Sequence, residues 1–215
     1  MDSVGPQLRH AGLNLENDPR ETRHQVEIDV FGFWVFLMSD AVVFALLFAL
    51  YGTMLGARAG GPGPTDEFKI GSAFIETLIL LSSSLTFGMA SLYLKRDHRP
   101  LRLMLWLALT LALGLAFLGM EIHDFVTMVS QGATAGRSAF LSGLFVLVGV
   151  HGLHVTTGAL WIAVMLVQVA TFGCDEKVEI NLIRLSLFWH FLDAIWIAIF
   201  SVAYLQGLIP PGGNT

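Results

Sequence analysis

Charge is scarce in this sequence and cysteine almost absent, and each shortage excludes something. Lys, Arg, Asp and Glu make up 13% of the 215 residues, where a soluble domain carries about a quarter. Hydrophobic residues reach 54% and the mean hydropathy is +0.67, which excludes an ordinary water-soluble domain and points to an integral membrane protein. The single cysteine, Cys174, excludes an internal disulfide and a thiolate-rich metal centre. Basic residues form no stripe interleaved with aromatics, so a nucleic-acid partner is not expected. Residues 1–29 are polar and mixed in charge with no apolar run, so no cleavable signal peptide is expected. No internal repeat and no inverted pair of broken helices of the transporter kind is visible.

Long apolar runs are what the sequence does have. A membrane crossing needs roughly 20 apolar residues at 1.5 Å rise each, and five runs qualify, at about 31–55, 70–94, 101–122, 138–172 and 184–207. The fold expected is therefore all-α, an integral membrane bundle of five transmembrane helices. Residues 30–208 form the membrane domain. Residues 1–29 are expected to be an irregular polar tail, and 209–215 a short tail at the other face. Connections are expected at Ala59–Asp66 (AGGPGPTD), at the basic turn Lys95–Pro100, at Gln131–Arg137 (QGATAGR) and at the acidic Cys174–Asn181. With the N-terminus inside, inner segments collect nine basic residues and outer segments three, Arg58, Lys69 and Arg137. The positive-inside rule then places the N-terminus in the cytoplasm and the C-terminus in the periplasm.

Several spans are too polar to be plain anchors. Asp40, Glu76 and Asp193 lie inside apolar runs, where a carboxylate facing lipid costs roughly 2.5–3.5 kcal/mol or more, so each must turn towards protein or water. His190 and Asp193 stand one helical turn apart on one face, as do His151 and His154. Ser72, Glu76 and Ser83 follow an i, i+4, i+7 stripe. Two chemistries suit these residues: a proton relay or ligand site at Glu76, and a metal site of His151, His154, His190 and Asp193, since imidazole binds Zn, Cu and Fe. The structural reading is a buried hydrogen-bonded network between helices, valuable for packing specificity. The latter is the expectation here for Asp40, Glu76, Ser83, His151, His154, His190 and Asp193, as a bundle-holding network or the wall of a lipid cleft. No catalytic, cofactor-binding or metal-binding residue is expected. Glu121, His123 and Asp124, at the end of the third run, are expected to be solvated or to face headgroups. The five tryptophans are expected at interfaces or in packing, and Lys95, Arg96 and Arg99 at anionic headgroups.

Four stretches together, FGFWVFLMSD (Phe31–Asp40), FIETLILLSSS (Phe74–Ser84), HGLHVTTGALW (His151–Trp161) and FWHFLDAIWI (Phe188–Ile197), resemble subunit III of the haem-copper terminal oxidases. The five-span pattern with a polar N-terminal tail is most similar to the quinol oxidase branch of cytochrome o type. The resemblance covers four of the five spans in order. It implies a non-catalytic subunit of a proton-pumping ubiquinol oxidase in the bacterial inner membrane, supporting assembly and stable turnover. It implies haem and copper in the partner subunit I and none in this chain. Subunit II, a small subunit IV and bound phospholipid would be further partners, with ubiquinol the substrate of the complex. By resemblance Glu76 matches the family's buried glutamate, and His151, His154, His190 and Asp193 match its polar interior positions. The residues agree: the spans hold only three histidines, His151, His154 and His190, too few for a haem-copper core. Alternatives are subunit III of a cytochrome c oxidase, a nitric-oxide-reductase accessory protein, a stand-alone proton or ion transporter using Glu76 and Asp193, and a membrane metalloprotein.

Overall fold

In the computed structural model of the chain, residues 19–54, 70–96, 100–173 and 176–204 are described. They form five long helices: α1 Pro19–Met54, α2 Ile70–Arg96, α3 Pro100–Ser130, α4 Ala139–Phe172 and α5 Glu176–Ile199. A short 3-10 turn, Ala135–Arg137, precedes α4, and a π-helical turn, Phe200–Tyr204, continues α5. No strand occurs among the described residues, and all five helices are long and apolar enough to cross a membrane. The fold is an all-α membrane bundle, as the apolar runs require.

Three boundaries differ from the sequence expectation. Residues 19–29 are helical rather than an irregular tail. Pro19 stands at the first helical position, where its missing N–H costs nothing, and the residues after it are mostly good helix formers. The third helix runs on to Ser130, so Glu121, His123 and Asp124 lie well within it and not at its end. The fifth begins at Glu176, inside the stretch read as an acidic loop. Its early turns bury Val178, Leu182 and Leu185, a 3.6-residue apolar spacing that outweighs the charge of the segment. The expected loop Ala59–Asp66 and residues 97–99 of the basic turn lie outside the described residues, as does residue 174 at the start of the acidic one.

The helices pack in a ring, α1 beside α4, α4 beside α3, α3 beside α2, α2 beside α5, and α5 back to α1, with α4 and α5 also in contact across it. Lipid gives helices no hydrophobic reason to associate, so close fit and interhelical hydrogen bonds must hold them. Both are visible around Trp189 of α5. Its indole lies between Gly114 of α3 and Gly158 of α4. A Cβ on Gly114 would come within 2.8 Å of Trp189 Cη2, and one on Gly158 within 3.1 Å of Cζ3. Its Nε1 donates to Ser83 Oγ of α2 at 3.0 Å, so one side chain joins four helices. About two turns later Trp196 donates to Thr77 Oγ1 of α2 at 3.1 Å and meets Phe117 of α3 edge-on at 4.7 Å. The outward faces carry leucine, valine and phenylalanine, among them Phe31, Leu46, Leu85 and Leu105.

Candidate functional site

The seven polar residues expected to form one network are divided among separate places along the helix contacts. At the α1–α4 contact, His154 Nε2 approaches Asp40 Oδ2 at 3.5 Å, and both side chains are about four-fifths buried. His154 Nδ1 is 2.7 Å from the Val150 carbonyl oxygen. A carbonyl can only accept, so Nδ1 carries a hydrogen. The Nε2–Asp40 contact is then attractive only if the pair holds one further proton, on the imidazole or on the carboxyl. This pair lines an open groove whose other walls are Phe33, Phe36, Leu153, Thr157, Trp161 and Phe188.

At the α2–α5 contact, Ser84 Oγ and His190 Nδ1 are hydrogen-bonded at 2.7 Å, and Asp193 Oδ2 lies 3.7 Å from the same nitrogen. Asp193 is buried while His190 is nearly half exposed, so the histidine caps a polar notch that opens to the bundle surface. Ser83 is fully buried and accepts from Trp189. Thr86 of α2 and Thr110 of α3 share a hydrogen bond at 2.8 Å. Neither threonine nor Ser84 stood among the expected site residues; a lone hydroxyl on an apolar helix has no sequence signature that separates it from one bonding its own backbone.

His151 packs without polar pairing. It is fully buried, and neither ring nitrogen has a hydrogen-bond partner among the described residues. Instead it stacks on Trp196 at 5.4 Å and 28°, with Phe117 at 6.1 Å and Phe44 at 6.4 Å on its other sides. The ring serves as an aromatic packing piece. Among the described residues, no group of three or more His, Cys, Asp or Glu side chains is placed to hold a metal ion. His151, His154, His190 and Asp193 therefore do not converge as a ligand set.

Glu76 keeps company that sequence reading did not assign to it. It is 2% exposed and lines a small cavity with Glu121 and Asp124 of α3. Glu121 is 6% exposed, not solvated. The reason is rotational: it continues the buried stripe Leu103, Leu107, Thr110, Gly114, Phe117 of α3 at three- and four-residue steps. Of the three residues expected to be solvated, His123 is exposed and Asp124 accepts from Ser72 Oγ at 2.8 Å.

The chain as a whole is similar to known proteins. The family model for cytochrome c oxidase subunit III matches residues 22–208, and this chain belongs to that family. Cytochrome bo(3) ubiquinol oxidase subunit 3 of Pseudomonas putida is 45% identical over 85% of this chain and 88% of its own length. The protein of the same name from Pseudomonas aeruginosa is 46% identical over 84% and 86%. Quinol oxidase subunit 3 of Bacillus spizizenii is 40% identical over 94% and 98%.

Proposed function

We propose that this chain is subunit III of a bacterial quinol oxidase, a multi-pass inner-membrane subunit that acts through assembly and support of the complex. The similarity to quinol oxidase subunits along almost their whole length carries this reading. The geometry supports it, because several buried polar side chains tie one helix to another. Subunit I, holding haem and copper, would be the principal partner, with subunit II and a small subunit IV alongside and ubiquinol as the substrate of the whole. The N-terminus is cytoplasmic and the C-terminus periplasmic, on the basic-residue asymmetry. Phospholipid lies along the groove lined by α1, α4 and Phe188 of α5, its chains on Phe33, Phe36, Trp161 and Phe188.

Purification in mild detergent through a tag on this chain tests the reading. Co-purification of a haem-copper subunit with quinol oxidase activity is expected, together with a subunit II that lacks the copper-binding cysteine pair. A subunit II containing that pair would move the chain to a cytochrome c oxidase. A chain that purifies alone and conducts protons after reconstitution would overturn the accessory role.

A further inference from the structure

The chamber between Glu76 and Glu121 has a composition that packing does not explain. Glu76 comes from α2 and Glu121 from α3, and the cavity between them is closed by Phe125 and Met128 of α3 and Leu144 and Val148 of α4. It has room for about one water molecule. Glu76 Oε1 and both carboxyl oxygens of Glu121 are buried without a hydrogen-bond partner among the described residues. No Lys, Arg or His lines the cavity. Gly152 of α4 stands against the back of Glu121, where a Cβ would lie 3.3 Å from Oε2, so the glycine makes space for the carboxyl group.

Two ionised carboxylates in such a place would repel each other and forgo their hydration with nothing in return. Something cationic must accompany them, and the cavity between them admits nothing much larger than a proton and a water. Glu121 also borders an open, mostly apolar groove between α3 and α4 lined by Ile122, Phe145 and Gly149. The way out runs along α3. Asp124 lines the same cavity, and it also lines an open groove with Ser72, Gly119 and His123. His123 Nδ1 is 3.5 Å from Asp124 Oδ1, and its side chain is 77% exposed. The titratable groups on this path are Glu76 on α2 and Glu121, Asp124 and His123 on α3; α4 contributes only Leu144 and Val148 to the cavity.

We propose that Glu76 and Glu121 form a proton-holding site, in which the two carboxyl groups share one proton through a bridging water and exchange it with the aqueous phase by way of Asp124 and His123. A proton leaves a carboxyl oxygen for the water as the water passes one on to Asp124. Asp124 gives that proton to Nδ1 of His123, the imidazole releases a proton from Nε2 to solvent, and the reverse path reloads the pair. Nothing is oxidised or reduced. The site is independent of the proposed role in assembly: it could fail while the chain remains a subunit III, and the experiment distinguishes the two.

Infrared difference spectroscopy of the whole oxidase, transferred between H2O and D2O, reads the proton directly. The wild-type complex should show a protonated-carboxyl C=O band that shifts on deuteration. Glu76→Gln and Glu121→Gln should each abolish that band. Asp124→Asn and His123→Ala should keep the band and slow its exchange. Growth on glutamate carrying a 13C-labelled carboxyl provides a reading without any variant, because the band should then move to lower frequency. A band that survives both Gln substitutions, or a deuteration-sensitive band that ignores the glutamate label, overturns the proposal. So does a metal ion retained stoichiometrically by the wild-type complex and lost in Glu121→Gln, since a cation would then occupy the chamber.

Discussion

Replacing Gly114 by alanine puts the packing of Trp189 to its hardest test. The new methyl would stand 2.8 Å from Cη2 and 3.0 Å from Cζ2 of the indole, closer than carbon atoms pack. The indole has little room to retreat, because α4 lies so close along its other edge that a Cβ on Gly158 would come within 3.1–3.2 Å of it, and Nε1 is held by Ser83. Overpacking of a fixed core costs about 1–3 kcal/mol, and a site closed on both sides should fall in the upper half of that range. Gly119→Ala on the same helix, with nothing within 4 Å of its Cβ, is the matched control and should be neutral or slightly stabilising through helix propensity. Trp189→Phe removes both clashing atoms along with the hydrogen bond to Ser83, and is destabilising by itself. In that background, however, the alanine finds open space, so the double variant should be less destabilised than the sum of the singles by about 1 kcal/mol or more. Thermal unfolding of the purified complex in detergent, followed through retention of this subunit, measures all four species. Additive single and double variants, or a Gly114→Ala protein as stable as Gly119→Ala, would refute the clamp.

Other perturbations have smaller but definite outcomes. Ser83→Ala withdraws the acceptor from a buried indole N–H and should lower stability by about 1–3 kcal/mol, with a change in tryptophan emission. Gly173 ends α4 at φ 73° and ψ −155°, a region closed to other residues. Gly173→Ala should therefore destabilise by about 1–3 kcal/mol, measurable in the same unfolding assay. Arg184 and Asp29 pair at 2.9 Å, but both remain partly exposed. Arg184→Ala should thus change stability by no more than about 1 kcal/mol, and any loss should shrink as salt is raised.

Much of this was legible in the sequence, because five apolar runs in a chain this poor in charge allow few folds. The fourth span, read as 138–172, is the helix Ala139–Phe172. The errors arose where two signals competed. Around Glu176–Asn181 charge suggested a loop, while the spacing of Val178, Leu182 and Leu185 announced a helix that tertiary burial then confirmed. Glu121 was read from its charged neighbours His123 and Asp124, although it sits in step with Leu107, Gly114 and Phe117 on the buried face of α3. Helical phase, not local composition, was the better guide at that position. The division of the seven polar residues among several helix contacts was not legible at all, since it depends on which helices become neighbours.

That division bears on how a subunit of this kind achieves a single packing. In lipid, one large leucine surface fits another in many rotations, so apolar contact gives little reason to prefer one register. A buried polar group left without its partner is penalised in every register but one. Here three of the helix contacts carry their own such pairings: Asp40 with His154 for α1 and α4, Thr86 with Thr110 for α2 and α3, and Ser83, Ser84 and Thr77 with Trp189, His190 and Trp196 for α2 and α5. Because the pairings differ in chemistry, they cannot be exchanged between contacts without leaving donors or acceptors stranded. A single merged network, as first expected from the sequence, would tolerate rearrangement of its members. Separate pairs specify which helices become neighbours at the contacts that carry them.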